Sequence, residues 1–255
     1  MGLILKHSFL MNVLTIIQSI NISQLKGDFT MSALAQQLSL ADQPIGEIAV
    51  KIPGSTALFR QLKLDFCCGG HISLKSACEK KGLSVDAVIQ DLESLTFEDN
   101  DVSITEPSEL IDHILYRYHN VHRRQLPELI RMARRVEAVH KDHPAVPVGL
   151  ADFLEDMEQE LISHMLKEEE ILFPMLKRNM SPMVTGPISV MRSEHTDHGA
   201  NLDQLAVLTT DHTPPAGACN TWRALYAGTA QLTDDLIAHI HLENNVLFPQ
   251  FELRT

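Results

Sequence analysis

Hydrophobic residues recur every three or four positions along most of the chain, and prolines and glycines interrupt this pattern. In the C-terminal part the pattern predicts four long helices at about 108–140, 148–179, 187–210 and 215–253. The breaks between them contain proline, which suits the first turn of a helix. Residues Leu154, Met157, Leu161, Met165 and Leu166 mark a predicted inward face. Four long helices with short connections predict a bundle.

Shorter helices precede the bundle. The pattern predicts one at about 45–51, one from Ser55, and two more separated at Gly82, the last beginning after Ser84 as N-cap. The acidic, turn-rich segment FEDNDVSITEPSE then reads as a linker. The predicted fold is therefore all-α: a small N-terminal helical domain at 42–98, followed by a four-helix bundle at 107–255.

Residues 1–41 fit neither domain. The stretch MGLILKHSFLMNVLTIIQSINI is interrupted by polar residues and is too short and polar to span a bilayer. A secretory signal peptide is an alternative, but no small-residue cleavage site follows. We interpret the segment as a poorly ordered extension, or as residues upstream of the functional start, with Met31 as an alternative start.

The charge and cysteine content restrict the partners and the compartment. A net charge of −12 argues against nucleic acid and anionic membranes, which are bound through basic patches. Four cysteines, with Cys67 and Cys68 adjacent, do not form the spaced framework of a secreted disulfide scaffold. We therefore expect a reducing, cytoplasmic location.

One segment of the predicted bundle occurs twice. HMLKEEEILFP begins at His164 and HIHLENNVLFP begins at His239, and in both a glutamate follows the histidine by four residues and Leu-Phe-Pro ends the segment. The repeat extends upstream to two pairs of matching histidines: His119 and His122 match His195 and His198. The C-terminal half therefore reads as two tandem helical hairpins.

The repeated histidines and glutamates have the spacing of metal ligands, because residues i and i+4 lie on the same helix face. One histidine from each helix and the two glutamates give six candidate ligands: His119, His164, Glu168, His195, His239 and Glu243. This number suits two ions bridged by the carboxylates. Imidazole with carboxylate favours iron, with manganese and zinc left open.

Six further residues carry less specific predictions. His122, Glu160, His198 and Asp235 are candidate hydrogen-bond partners of the ligands, with direct ligation by either histidine, or a solvated or capping role for either acid, as alternatives. Cys67 and Cys68 lie before a Gly-Gly turn. They are either a functional thiol pair or packing elements of the turn.

The chain resembles a known family at these residues. The His-x3-Glu pairs with Leu-Phe-Pro, together with RYHNVHRRQLPEL and GPISVMRSEH, look like the hemerythrin-like domain of the repair-of-iron-centres proteins. PIGEIAVKIPGSTALFRQLKLDFCCGG looks like the small domain that precedes it.

The resemblance implies a cytoplasmic protein with two non-haem iron ions held by the six ligands. Its expected role is the repair of iron–sulfur clusters damaged by oxidative and nitrosative stress, with damaged iron–sulfur proteins as partners and nitric oxide or oxygen as a small ligand. A homodimer is a candidate assembly. The alternatives are a di-iron enzyme that reduces nitric oxide or oxygen, and a gas sensor or carrier of the hemerythrin kind.

Overall fold

Four short helices form the N-terminal domain. The computed structural model describes residues 40–52, 54–95, 106–179 and 183–252, so the predicted extension lies almost wholly outside the described residues. The helices are α1 (Ile45–Lys51), α2 (Ser55–Gln61), α3 (Leu74–Lys81) and α4 (Val85–Leu95). Ser73 caps α3 by accepting a hydrogen bond from the Ser76 amide, and Gly82 ends that helix in a left-handed conformation.

Four long helices form the C-terminal domain, as predicted. The first consists of α5 (Pro107–Ile114), a π-helical turn π1 (Leu115–His119) and α6 (Asn120–Val139); the second of α7 (Leu150–Lys167), π2 (Glu168–Leu172) and α8 (Phe173–Lys177); the third of α9 (Thr185–Leu208); the fourth of α10 (Asn220–His241), π3 (Leu242–Leu247) and a 3₁₀ turn (Phe248–Gln250). No strand occurs in the described ranges. The predicted all-α fold, with a small helical domain before a bundle, is confirmed.

The helix ends differ from the prediction where the backbone is left-handed. The fourth helix begins at Asn220 instead of 215, because Gly217 has φ of 82° and Cys219 is extended. The second begins after Gly149, which has φ of 85°. In this second helix Met165 is buried, as predicted, but Leu166 is exposed. The prediction that Leu166 belongs to the inward face is therefore wrong.

The bundle has two apolar layers, one toward each end. One contains Leu126, Leu161 and Trp222, and the other contains Ile114, Phe173 and Phe248. Along each of the four helices, the candidate ligands lie between the residues of one layer and the residues of the other. The fold therefore surrounds a polar site with apolar side chains. None of the described helices is long and apolar enough to cross a membrane.

The N-terminal domain packs directly against the fourth bundle helix. The Asn244 Nδ2 donates to the carbonyl oxygen of Cys67 at 3.0 Å, and the Asn245 Nδ2 donates to that of Phe66 at 3.1 Å. The Phe66 ring lies edge-on to His241, with centroids 5.1 Å apart. These contacts hold the turn that carries both adjacent cysteines against the bundle.

The close packing at Gly70 gives a prediction. An added Cβ would lie 2.4 Å from the Phe66 carbonyl oxygen and 3.0 Å from the Gly46 Cα. We therefore expect Gly70→Ala to lower the free energy of unfolding by about 1–3 kcal/mol. In Gly186→Ala the methyl would meet no atom within 4 Å, so this control should be neutral or stabilising by up to about 1 kcal/mol. Thermal unfolding followed by circular dichroism checks this, and equal midpoints for the two variants would contradict it.

Candidate metal centre

The six candidate ligands converge in the bundle as two groups of four that share both glutamates. We call the group His119, His239, Glu168 and Glu243 the first quartet, and the group His164, His195, Glu168 and Glu243 the second quartet. Within each quartet the ligand atoms all lie within 4.8 Å of one another. All six residues are buried, and both glutamates have no exposed surface. The structure thus brings together every residue predicted as a ligand.

Within each quartet the two imidazoles face each other through Nε2. The Nε2 atoms of His119 and His239 are 3.2 Å apart, and so are those of His164 and His195. The Nδ1 atoms of His119, His164 and His195 each lie 2.7–2.9 Å from a side-chain oxygen, which places their protons on Nδ1 in the neutral rings. Their Nε2 atoms therefore direct lone pairs into the site, and a cation can accept these lone pairs.

Each carboxylate divides its oxygens between the quartets. Glu168 Oε2 lies 3.4 Å from His119 Nε2, whereas its Oε1 lies 3.3 Å from His164 Nε2. Glu243 Oε1 lies 3.2 Å from His239 Nε2, whereas its Oε2 lies 3.0 Å from His195 Nε2.

These separations fit a metal ion. Two ligand atoms about 2.1 Å from one ion lie about 3.0–3.4 Å apart, depending on the angle between them. Both oxygens of Glu168, and Oε2 of Glu243, are buried without a hydrogen-bond donor. Buried carboxylate oxygens are costly unless a donor or cation compensates them. The residues present therefore fit a pair of metal ions.

The ligand histidines are oriented by residues that sequence reasoning missed. His119 Nδ1 lies 2.7 Å from Glu169, which also binds Arg123. His164 Nδ1 lies 2.9 Å from Glu194, which also binds Lys167. A carboxylate on Nδ1 fixes the ring and makes Nε2 more basic.

The third orienting residue is an amide. His195 Nδ1 lies 2.9 Å from the Asn244 oxygen. The signal that could have found all three partners is adjacency, because Glu169 and Asn244 each follow a ligand glutamate and Glu194 precedes a ligand histidine. Each of them contacts a histidine on the preceding bundle helix.

The fourth ligand histidine breaks this pattern. His239 Nδ1 is buried without a hydrogen-bond partner. The Tyr118 ring instead stacks on His239, with centroids 5.4 Å apart and an interplanar angle of 5°. Tyr118 precedes His119 as Glu194 precedes His195, so equivalent positions of the repeat bear different chemistry. The first quartet is consequently held partly by ring packing.

The repeated Leu-Phe-Pro places an aromatic ring against each quartet. The ring of Phe173 stacks on His119 and that of Phe248 stacks on His195, with centroids 5.8 and 6.0 Å apart. Both phenylalanines directly follow π-helical turns that contain Glu168 and Glu243. Such turns occur often at functional sites because they change the direction of side chains.

Electrostatics in the site favour positive charge. Burial alone lowers the pKa of His164, but the Glu168 and Glu243 carboxylates and the hydrogen bond that His164 donates to Glu194 raise it to about 9. Burial and repulsion by Glu243 raise the pKa of Glu168, yet the surrounding histidines shift it below its ordinary value. Without a metal ion, a proton on His164 neutralises part of the carboxylate charge.

His122 and His198, predicted as hydrogen-bond partners of the ligands, are buried next to the ligand candidates. His122 is buried with both ring nitrogens unpaired, and burial together with His239 and His119 lowers its pKa to about 3. His198 packs edge-on against His164 at 4.9 Å, and burial with His164 and His195 lowers its pKa to about 3. Neither histidine contributes to a quartet.

Two acids predicted as hydrogen-bond partners of the ligands pair elsewhere. Glu160 is exposed and accepts a hydrogen bond from Asn201 at 2.7 Å. Asp235 is buried and pairs with Arg117 at 2.5 Å. Each acid lies one helical turn before a ligand candidate, on the same helix face, but its side chain bonds to Asn201 or Arg117 and to no candidate ligand ring. The exposure of Glu160 fits the solvated role that was left open for it.

Cys67 and Cys68 lie beside the second quartet. The Cys68 thiol donates to the His195 carbonyl oxygen at 3.2 Å. Asn244 connects the Cys67 carbonyl oxygen to the His195 ring. On the surface near His164, a cleft of about 540 Å³ is lined by Glu160, Glu194 and His198 among others. The second quartet therefore adjoins both the thiols and a surface cleft.

Comparison with known proteins agrees with this geometry. Residues 110–251 match the model of the hemerythrin HHE cation-binding domain, and residues 41–96 match ScdA_N, described as a domain of unknown function. The class is therefore a hemerythrin-like cation-binding bundle preceded by an ScdA_N domain.

Similar relatives identify the family more narrowly. The chain is 50% identical over 215 residues to the iron–sulfur cluster repair protein YtfE of Citrobacter koseri, covering 84% of this chain and 98% of that protein. It is 50% identical over 212 residues to the protein of the same name from Dickeya chrysanthemi, covering 82% and 96%. The chain belongs to the YtfE family of iron–sulfur cluster repair proteins.

The hydrogen bond between Glu194 and His164 gives a prediction about metal affinity. Glu194→Ala removes the acceptor on Nδ1, and loss of such a partner typically weakens metal binding by about 10–100-fold. Glu160→Ala removes a carboxylate of the same cleft that does not touch a ligand, and should change affinity by less than about twofold. Anaerobic Fe(II) titration by calorimetry measures both, and equal affinities would contradict a positioning role for Glu194.

Proposed function

We propose that this protein is a cytoplasmic, non-haem di-iron protein that repairs iron–sulfur clusters damaged by oxidative and nitrosative stress. The observation that carries the proposal is the pair of buried quartets sharing two carboxylates. Membership of a family whose relatives are named for iron–sulfur cluster repair connects this site to that role. Damaged iron–sulfur proteins are then its partners.

The donor set supports iron as the metal. Four imidazoles and two carboxylates match the ligands that non-haem iron uses, and the quartets contain no thiolate. Because each carboxylate directs one oxygen to each histidine pair, Glu168 and Glu243 are proposed as bridges. His119 and His239 hold one ion, and His164 and His195 hold the other.

The surrounding residues set what the centre can do. When bound, the iron pair supplies redox chemistry and a place for a small ligand such as nitric oxide or oxygen. Glu169 and Glu194 keep the Nδ1 protons of His119 and His164 in place, so that the Nε2 lone pairs stay available. The apolar layers and the stacked phenylalanines exclude bulk water from the carboxylates.

The adjacent cysteines are proposed to take part in repair. Their turn contacts His195 through a thiol and is linked to the His195 ring through Asn244. The thiol of Cys68 is half-buried and not enclosed. In this proposal a damaged cluster or its iron is handled at these thiols, which lie beside the second quartet.

Bridging by the glutamates can be separated from simple ligation. Glu168→Ala or Glu243→Ala removes a group shared by both ions, whereas His119→Ala removes a group that serves one. We expect each glutamate variant to lose the magnetic coupling between the irons, and His119→Ala to lose less. Glu170→Ala, an exposed acid of the same run, is the matched control. Mössbauer spectroscopy of anaerobically purified protein measures the coupling, and equal loss in all three ligand variants would contradict bridging.

Reactivation of a nitrosylated iron–sulfur enzyme tests the function itself. Iron-loaded protein should restore activity, and iron-free protein should not. The variant Cys67→Ala/Cys68→Ala should keep the two irons of the bundle, because no bundle ligand changes, but should lose most of the reactivation. Cys219→Ala is the control because that cysteine lies outside the turn.

Iron content is measured in parallel with reactivation. Equal reactivation by the iron-free protein would refute the proposed repair function. Full reactivation by the double-cysteine variant would restrict the turn to a structural role.

A further inference from the structure

A second group of metal-ligand atoms lies in the turn between α2 and α3. The carboxylate of Asp65 and the thiols of Cys67 and Cys68 all lie within 4.8 Å of one another. We propose that this turn is a mononuclear binding site for a divalent cation such as Fe(II) or Zn(II), separate from the two quartets. This inference does not depend on the repair function, because it rests on the turn alone.

The separations of the three ligand atoms match those around one tetrahedral ion. The Sγ atoms of Cys67 and Cys68 are 3.6 Å apart, and Cys67 Sγ lies 3.5 Å from Asp65 Oδ1. An ion with thiolates at about 2.3 Å and a carboxylate oxygen at about 2.1 Å places two sulfurs about 3.8 Å apart and sulfur and oxygen about 3.6 Å apart. Two of the three separations therefore lie within a few tenths of an ångström of these values, and the third, between Cys68 Sγ and the Asp65 carboxylate, is at most 4.8 Å.

Both domains hold this arrangement in place. The Cys68 amide donates to Asp65 Oδ1 at 2.9 Å, which fixes the carboxylate against the thiols. An added Cβ at Gly69 would lie 2.9 Å from Asp65 Oδ2, so glycine at position 69 lets the turn pack closely against this carboxylate. On the bundle side, Asn244 Nδ2 donates to the Cys67 carbonyl oxygen, a backbone contact that stays in place when the thiols lose their protons to an ion. The ligands are thus preorganised.

The ligand types and their exposure define the class of ion and its access. Two thiolates with one carboxylate favour borderline divalent ions over magnesium or calcium, which prefer oxygen ligands throughout. Asp65 is exposed and Cys68 is half-buried, so an ion can enter from solvent. Three protein ligands leave a fourth position for an exogenous group. The site therefore suits exchange of an ion more than permanent storage.

Cobalt(II) is the probe that distinguishes this site from the quartets. Thiolate-bound Co(II) gives an intense sulfur-to-cobalt absorption band in the near ultraviolet, which imidazole and carboxylate ligands do not give. At saturating Co(II), which also fills the quartets, we expect the full-length chain to give this band with the intensity of one thiolate-bound Co(II) per chain. Cys67→Ser and Cys68→Ser should each abolish or strongly reduce it, and Asp65→Asn should weaken binding by about tenfold or more.

The matched control is Cys219→Ser, because Cys219 lies 3.2 Å from His140 Nε2 and could form a rival cobalt site. This variant should retain the full band. Circular dichroism on each variant confirms that it is folded. The proposal is overturned if the wild-type chain gives no sulfur-to-cobalt band at saturating Co(II), or if the band persists in the Cys67 and Cys68 variants or disappears in Cys219→Ser.

Discussion

The structure depends on one constraint: six buried side chains direct lone pairs or negative charge toward one another, and this charge has to be neutralised. Four imidazole nitrogens and two carboxylates meet between the apolar layers of the bundle, and the carboxylate oxygens of Glu168 have no hydrogen-bond donor. An arrangement of this kind is strongly unfavourable unless positive charge enters it. Metal ions would supply this positive charge. The helices, π-helical turns and apolar packing hold the six side chains in position to bind them.

The two halves of the repeat hold their ligands in different ways. Glu169 and Asn244 occupy equivalent positions, and so do Glu194 and Tyr118, but their chemistry differs. The second quartet has an anionic partner on His164 and an amide link to the N-terminal domain through Asn244. The first quartet has an anionic partner on His119 but only ring stacking on His239. A nearly symmetric fold therefore holds two unequal quartets, and the second is the one in contact with the cysteine turn through His195.

Much of the fold and of the candidate site could be predicted, because the patterns that indicate them are local in sequence. Helical periodicity predicted the four long helices, and the spacing of four residues between His164 and Glu168 predicted candidate ligands that share a helix face. The hydrogen-bond partners were not found by the same rule. Residues one position apart on a helix point in directions about 100° apart, so Glu169 faces a histidine on the neighbouring helix while Glu168 faces the centre. Such partners become visible only when the helices are packed together.

The π-helical turns likewise could not be predicted from the sequence, because one extra residue in a turn leaves the spacing of apolar residues nearly unchanged. The contact between the cysteine turn and His195 joins residues 127 positions apart. No spacing rule reaches that distance. The relation between the thiols and the second quartet is therefore a property of the packed domains.

Anomalous diffraction at the iron absorption edge, from anaerobically grown crystals, can show whether one ion lies in each quartet. We expect two anomalous peaks in the bundle, one between His119 and His239 and one between His164 and His195, each in contact with both glutamates. A single peak at full occupancy, or peaks bound to His122 or His198 in place of these histidines, would contradict it.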